Sequence, residues 1–188
     1  MKVALWVLLL FSPLTLLAES PDMAQQQQAK ELIQRFAGEL KHELMTAMQQ
    51  DGPVEAIAVC QQIAPELATQ LSAESTMQIR RTSLQLRNPG NQPDAWEQKV
   101  LQRFEQQQAD GEAIANLEFS EVVDENGAAT FRMMKAIGIE PACLTCHGSQ
   151  LSDQITQQLK RLYPEDQATG YQVGDVRGAF SVRQALIK

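Results

Sequence analysis

The chain has 188 residues, of which 23 are acidic and 16 are lysine or arginine, so its formal net charge is −7 at neutral pH. An acidic chain of this length suits one domain with a sizeable core and lacks the basic surface that nucleic-acid binding needs. Three cysteines are an odd number for an exported disulfide protein, so other chemistry is expected of them.

The first 18 residues have the pattern of a signal peptide. Lys2 supplies a positive start, an apolar run follows, and the segment ends in a small residue. Pro13 interrupts the apolar run and Glu19 ends it, so the run is shorter than the about 20 continuous apolar residues that a membrane span needs. We predict a signal peptide over 1–18 and a single exported domain over 19–188, with no stable membrane insertion after cleavage.

Two helices are predicted in the N-terminal third. Between residues 21 and 50 apolar side chains recur every four positions, typical of one face of a long helix. Asp51-Gly52-Pro53 ends that helix and starts a second, which Pro65 either ends or extends by a further turn. Cys60 lies in the second helix, where a lone cysteine is more often a small buried hydrophobe than a ligand.

The middle of the chain alternates strands with one helix. Residues 77–83 alternate as a half-buried strand, and Asp94 with Glu97 has the spacing of a capping box that starts a helix. Two strands follow, around 114–123 and 128–137, and Asn126-Gly127 between them is a strong hairpin signal.

A short helix and a strand close the chain. Ser152 can cap a helix that Tyr163-Pro164 ends. In the last strand we expect two faces, with Val176, Gly178, Phe180 and Val182 on one and Arg177, Ala179, Ser181 and Arg183 on the other. Helices first and strands mostly later indicate an α+β fold with an antiparallel sheet.

The most informative stretch is Cys143-Leu144-Thr145-Cys146-His147, the attachment signature of a c-type haem. On one helical turn the two sulfurs can reach both vinyl groups of a porphyrin, with the imidazole under the iron. Two alternatives stand beside this interpretation. Cys143 and Cys146 could form a reducible disulfide, or all three cysteines and a histidine could hold zinc.

If haem is attached there, its iron has a sixth position to fill. Candidate ligands are Cys60, a methionine of the Met133-Met134 pair, and His42, and the position could also stay open or hold water. His42 lies off the apolar stripe of its helix and has the pattern of a solvated residue. The candidate partners for haem propionates are the arginines whose planar fork matches a carboxylate: Arg80, Arg81, Arg87 and Arg177.

Several separated segments resemble one family, a group of c-type haem proteins of long-unassigned function with a PAS-like domain and His/Cys axial ligation. The similar segments are residues 58–65, 81–89, 91–97, 143–148, 163–164, 168–171, 174–175 and 177–182. The resemblance implies that Cys143 and Cys146 attach one covalent haem, that His147 is the proximal ligand and that Cys60 is the distal one. It also implies maturation outside the cytoplasm, and hence a periplasmic location.

From these features we expect a monohaem cytochrome that transfers electrons or senses redox state with a separate redox partner protein, and no enzyme activity. A thiolate ligand would place the potential below that of a His/Met cytochrome. A sensor module that acts through another protein is the alternative, by fold analogy. A haem peroxidase ranks last, because only His42 is left to serve as acid or base.

Overall fold

The computed structural model describes residues 21–186 of the chain, so the predicted signal peptide lies outside the described residues. The helices are α1 (Met23–Gln50), α2 (Pro53–Gln61), α3 (Ile63–Ala73), α4 (Ala95–Ala109), α5 (Leu144–His147) and α6 (Asp153–Leu162). The strands are β1 (Gln78–Thr82), β2 (Glu118–Glu125), β3 (Ala128–Gly138) and β4 (Val176–Ala185). The predicted α+β class is confirmed.

The four strands form one antiparallel sheet in the order β1-β4-β3-β2. Asn126 and Gly127 both have positive φ, 59° and 85°, as the tight turn between β2 and β3 requires, so the predicted hairpin is confirmed. The first hairpin strand begins at Glu118, later than predicted, because Ile114–Asn116 form a 3-10 turn instead.

Helices cover both faces of the sheet. On one face α1 and α3 pack against β1, β3 and β4, and Phe36 meets Phe180 edge-on with ring centroids 5.5 Å apart. On the other face α4 packs Val100, Leu101 and Phe104 onto β3 and β4. The predicted capping box at the start of α4 is present, with Asp94 accepting from two backbone N–H groups and Glu97 accepting from the Asp94 N–H.

The alternation predicted for the last strand is wrong at its start. Val176 packs with Ala179 under α4, whereas Phe180 and Val182 pack on the opposite face. The cause is an irregularity opposite Ile137 and Gly138, where Gly138 pairs with Val176 and one residue of β4 has no counterpart. Such a bulge shifts the phase of every side chain before it.

Of the two possibilities predicted for Pro65, the structure has the second, a further helical segment that includes Leu67 and Leu71. The break between α2 and α3 falls at Gln62, so Pro65 lies inside the first turn of α3. A proline is tolerated in a first turn because the N–H it lacks would have no partner there. Cys60 therefore lies in the last turn of α2, next to this break. Within residues 21–186, no helix has the length and apolar character that a membrane crossing requires.

Candidate functional site

The CxxCH motif lies on a short turn of helix that packs between apolar clusters. Pro141–Cys143 form a 3-10 turn that runs directly into α5. Cys146 packs beside Ile57, Ile155, Leu159 and Tyr163, whereas Cys143 packs beside Ile139, Ala168 and Tyr171. Both thiols are free and half-buried. The two sulfurs therefore lie on separate walls of one site.

The imidazole of His147 is held by a loop that follows α6. Its Nδ1 lies 2.7 Å from the carbonyl oxygen of Ala168 and donates to it, since a carbonyl can only accept. Backbone N–H groups of Gly170 and Tyr171 also donate to the carbonyls of Gly148 and His147, each at 3.0 Å. With its proton on Nδ1, the ring keeps the Nε2 lone pair for a metal.

Burial and neighbouring charges keep this imidazole neutral. Burial, followed by the guanidinium groups of Arg177 and Arg87, lowers the pKa of His147 to about 2. The Ala168 hydrogen bond acts in the opposite direction but is outweighed. A neutral histidine is the form that binds a metal, so no proton has to leave the ring first.

Cys60 reaches the same site from a distant part of the chain. Burial raises the pKa of the Cys146 thiol and of the Tyr163 hydroxyl, and Cys60 lies close enough to both groups to add to each rise. Gln61 Nε2 donates to the carbonyl of Leu162 at 3.2 Å and joins the end of α2 to the end of α6. The fold thus places Cys60 near Cys146, and the motif carries Cys143 and His147 next to Cys146 in the chain.

Positive charge accumulates around these groups. Arg81, Arg87 and Asp166 all act on the pKa of Arg177, which burial lowers. Of these guanidinium groups, Arg87 forms the ion pair with Asp166. Arg81 makes no ion pair with any carboxylate of the described residues, and Arg177 donates to Ser83 Oγ and to the Gln85 carbonyl.

The other two arginine candidates have different partners. Arg80 lies on the opposite face of β1, where it donates to the carbonyls of Gly90 and Gln92 and approaches Glu97 at 3.4 Å. Arg87 is buried and paired with Asp166. A groove of about 500 Å³ along β1 is lined by both Arg80 and Arg81. Of these two, Arg81 is the one whose charge acts on the pKa of His147, so Arg81 lies between the groove and the motif.

The alternative sixth ligands lie elsewhere. Met133 is fully buried against α1 and α3, and Met134 is fully buried against α4 on the other face of the sheet. His42 is exposed on α1. Within residues 21–186, no three His, Cys, Asp or Glu side chains form a group that could hold a metal ion, as the tetrahedral zinc alternative requires.

The residues present fit a haem. A neutral imidazole with its proton on Nδ1 and a thiol from a second element are two common ligands of haem iron, and the guanidinium groups near them are suited to pair with propionates. One feature must adjust, because Arg87 Nη1 lies 3.4 Å from His147 Nε2, on the side where iron would bind.

Sequence reasoning missed part of this site. Asp166, the Ala168 carbonyl and Tyr171 had no assigned role. Tyr163 and the 168–171 segment did belong to the family resemblance, which was the one signal for them. The contacts of Asp166 join residues 79 positions apart in the chain, beyond the reach of local patterns.

Comparisons with known proteins agree with this picture. A family model described as Tll0287-like matches residues 17–185. Among solved structures, the fold matches the crystal structure of the cyanobacterial heme-protein Tll0287 with a TM-score of 0.65 and 22% sequence identity, over 89% of this chain and 99% of that chain. No curated protein matches the chain significantly.

Proposed function

The chain belongs to the Tll0287-like family, and on that premise we propose that it is an exported, periplasmic protein with one covalent c-type haem that transfers electrons or senses redox state. The observation that carries this proposal is the convergence of His147 and Cys60, from α5 and α2, beside the two motif cysteines. The heme named for the structural match Tll0287 supports it. We further propose that the domain is PAS-like.

Each residue has a defined part in this proposal. Cys143 and Cys146 would attach the haem through thioether bonds, His147 Nε2 and the Cys60 sulfur would bind its iron, and Arg81 and Arg177 would neutralise its propionates. Bound haem would supply a one-electron ferric/ferrous couple. The thiolate of Cys60 donates electron density, which stabilises the ferric state and places the potential low.

We propose electron exchange with a separate redox protein and no enzymatic role. His42, the one histidine outside the haem motif, which a peroxidase could use as acid or base, is exposed on α1. The location of Cys60 next to the helix break at Gln62 favours one second candidate, a sensor. Release of Cys60 on reduction would then move the end of α2 and open a site for a diatomic gas.

Absorption spectra of the purified protein, oxidised and reduced, test the proposal. We expect the oxidised protein to show a low-spin ferric haem with a thiolate signature. On reduction the haem stays low-spin if Cys60 remains bound and becomes high-spin if Cys60 leaves the iron. His147→Gln should abolish the low-spin spectrum, whereas the matched control His42→Gln should leave it unchanged. A protein that matures in a haem-attaching host but shows no haem absorption would refute the proposal.

A further inference from the structure

Arg87 is the most highly connected side chain near the motif. Its Nη2 donates to the carbonyl of Cys146 at 2.6 Å, to that of Ala168 at 3.0 Å and to Asp166 Oδ2 at 3.0 Å, while its Nε donates to Asp166 Oδ1 at 3.1 Å. The side chains of Arg87 and Asp166 are only 7% and 10% exposed. A buried pair with these bonds is fixed in position, since either charge alone would be left in a medium of low dielectric.

The pair holds the peptide group that orients His147. Asp166 Oδ1 accepts from the Ala168 N–H at 2.9 Å, and Arg87 Nη2 donates to the Ala168 carbonyl. That same carbonyl accepts the Nδ1 proton of His147. The acceptor of the imidazole proton is therefore fixed on both sides by one ion pair, and the same arginine also bonds the end of the helix that carries the imidazole.

We propose that Arg87 and Asp166 are positioning residues for His147: by holding the Ala168 peptide, they fix the ring orientation and keep its proton on Nδ1. This inference rests on the proposed role of His147 as the iron ligand. It assigns Arg87 a role other than propionate binding, because its fork is already engaged by Asp166 and two carbonyls. With the proton on Nδ1, the Nε2 lone pair stays available to a metal. The contact of Arg87 Nη1 with His147 Nε2, 3.4 Å, is longer than the other bonds of Arg87 and is the one that would lengthen when iron binds.

The test compares three variants. Arg87→Lys keeps the charge but cannot bond one carboxylate and two carbonyls at once, and Asp166→Asn keeps the shape but loses the charge. The matched control is Arg132→Lys, because Arg132 is equally buried, 5% exposed, and pairs with Asp94 and Glu125 on the other face of the sheet. It should destabilise the protein without acting on His147.

The measurement is the solvent exchange rate of the His147 Nδ1 proton by NMR, in the reduced, carbon monoxide-bound protein, which is diamagnetic. Backbone amides of α4 serve as the internal reference for global opening. Loss of a charge-assisted hydrogen bond should raise the exchange rate about tenfold or more in Arg87→Lys and Asp166→Asn. In Arg132→Lys the rate should stay at the wild-type value.

Two results would overturn the inference. One is a His147 proton that stays as protected in Arg87→Lys and Asp166→Asn as in the wild type. The other is an equal increase in all three variants, which would reflect global opening. If the protein carries no haem, the proposed function fails, but the same proton is measured in that protein and still decides the inference.

Discussion

At the scale of single residues, the proposed function depends most on Cys60. Its thiol lies in the last turn of α2, close enough to Cys146 and Tyr163 for its charge to act on both. An isolated cysteine titrates near pH 8.5, and ferric iron stabilises the thiolate and lowers that pKa strongly. Ferrous iron has one positive charge fewer and should hold the thiolate less firmly. Reduction between the two pKa values should therefore bring a proton onto the sulfur.

We predict that the midpoint potential falls by about 59 mV per pH unit across that window, because one proton accompanies one electron. Cys60→Ser should remove the thiolate signature from the ferric spectrum, raise the potential and abolish this slope. Redox titration at several pH values measures all three effects. A Cys60→Ser protein with the wild-type spectrum and potential would make Cys60 a core residue and return attention to Met133, Met134 and His42.

The residues of the site differ in how far the sequence could predict them. Cys143, Cys146 and His147 are adjacent in the chain, so their shared chemistry is visible as a motif. Cys60 on composition alone has the pattern of a buried hydrophobe; the haem motif made it one candidate for the sixth ligand, and the family resemblance favoured it over the others. The Arg87–Asp166 pair has no local signature, because burial and a contact between distant loops define it.

At the scale of elements, the start of α4 is stabilised by its N-cap residue Asp94 and by the ion pair of Asp94 with Arg132. Burial raises the pKa of Asp94, but the hydrogen bond from Arg132 and the backbone N–H donors outweigh it, so the net pKa is lowered. A lowered carboxyl pKa means that the stabilisation is present at neutral pH and is lost as the pH falls through the folded-state value. Asp94 is 46% exposed, which limits the size of this contribution.

We predict that Asp94→Ala lowers the free energy of unfolding by about 1 kcal/mol or more, since it removes both the cap and a partner of Arg132. Asp94→Asn keeps a capping side chain and should lose only the charge-dependent part. Urea unfolding at neutral and at strongly acid pH separates the two. If Asp94→Asn lowers the free energy of unfolding by the same amount at neutral and at strongly acid pH, the ionised carboxylate of Asp94 is not the source of that stabilisation.

The contact of β1 with β4 depends on Gly178. A Cβ at this position would collide with the backbone carbonyl of Thr82 and with Ser83, and neither can move without opening the pair of strands. We expect Gly178→Ala to cost about 2 kcal/mol or more in unfolding free energy. The control is Gly38→Ala in α1, where nothing lies within 4 Å and the change should stabilise the helix by about 0.5–1 kcal/mol. Equal stability of Gly178→Ala and wild type would refute this account of the junction.

These elements also show which features of the fold sequence patterns can predict and which they cannot. Caps and turns use local chemistry, so the Asp94 capping box, the Ser152 cap and the Asn126-Gly127 turn were all predicted and are confirmed. The bulge in β4 depends on which residues of β3 lie opposite it, and no alternation within one strand encodes that. At Pro65 the sequence left two possibilities open, because a proline is compatible with either the end or the first turn of a helix, and the structure has the first turn of α3.

In the molecule as a whole, the sheet separates two apolar cores, and one end of it places arginine side chains near the CxxCH motif. Arg81 of β1 and Arg177 of β4 extend to this end, and α2, α5 and the loop after α6 complete it. Apolar cores cover both faces of the sheet, so the proposed ligands His147 and Cys60 come from helices that flank it. The sequence predicted the elements and their class, while the convergence of Cys60 with the motif required the tertiary structure.

Intact-mass measurement of the denatured, purified protein tests the central claim most directly. The account predicts a polypeptide that begins at or near Glu19 and is heavier by one haem, which stays on the chain through acid-acetone extraction. A double variant, Cys143→Ala with Cys146→Ala, should show the mass of its own polypeptide alone under these conditions. A wild-type mass equal to the bare polypeptide, or haem that passes into the organic phase, would contradict covalent attachment at Cys143 and Cys146.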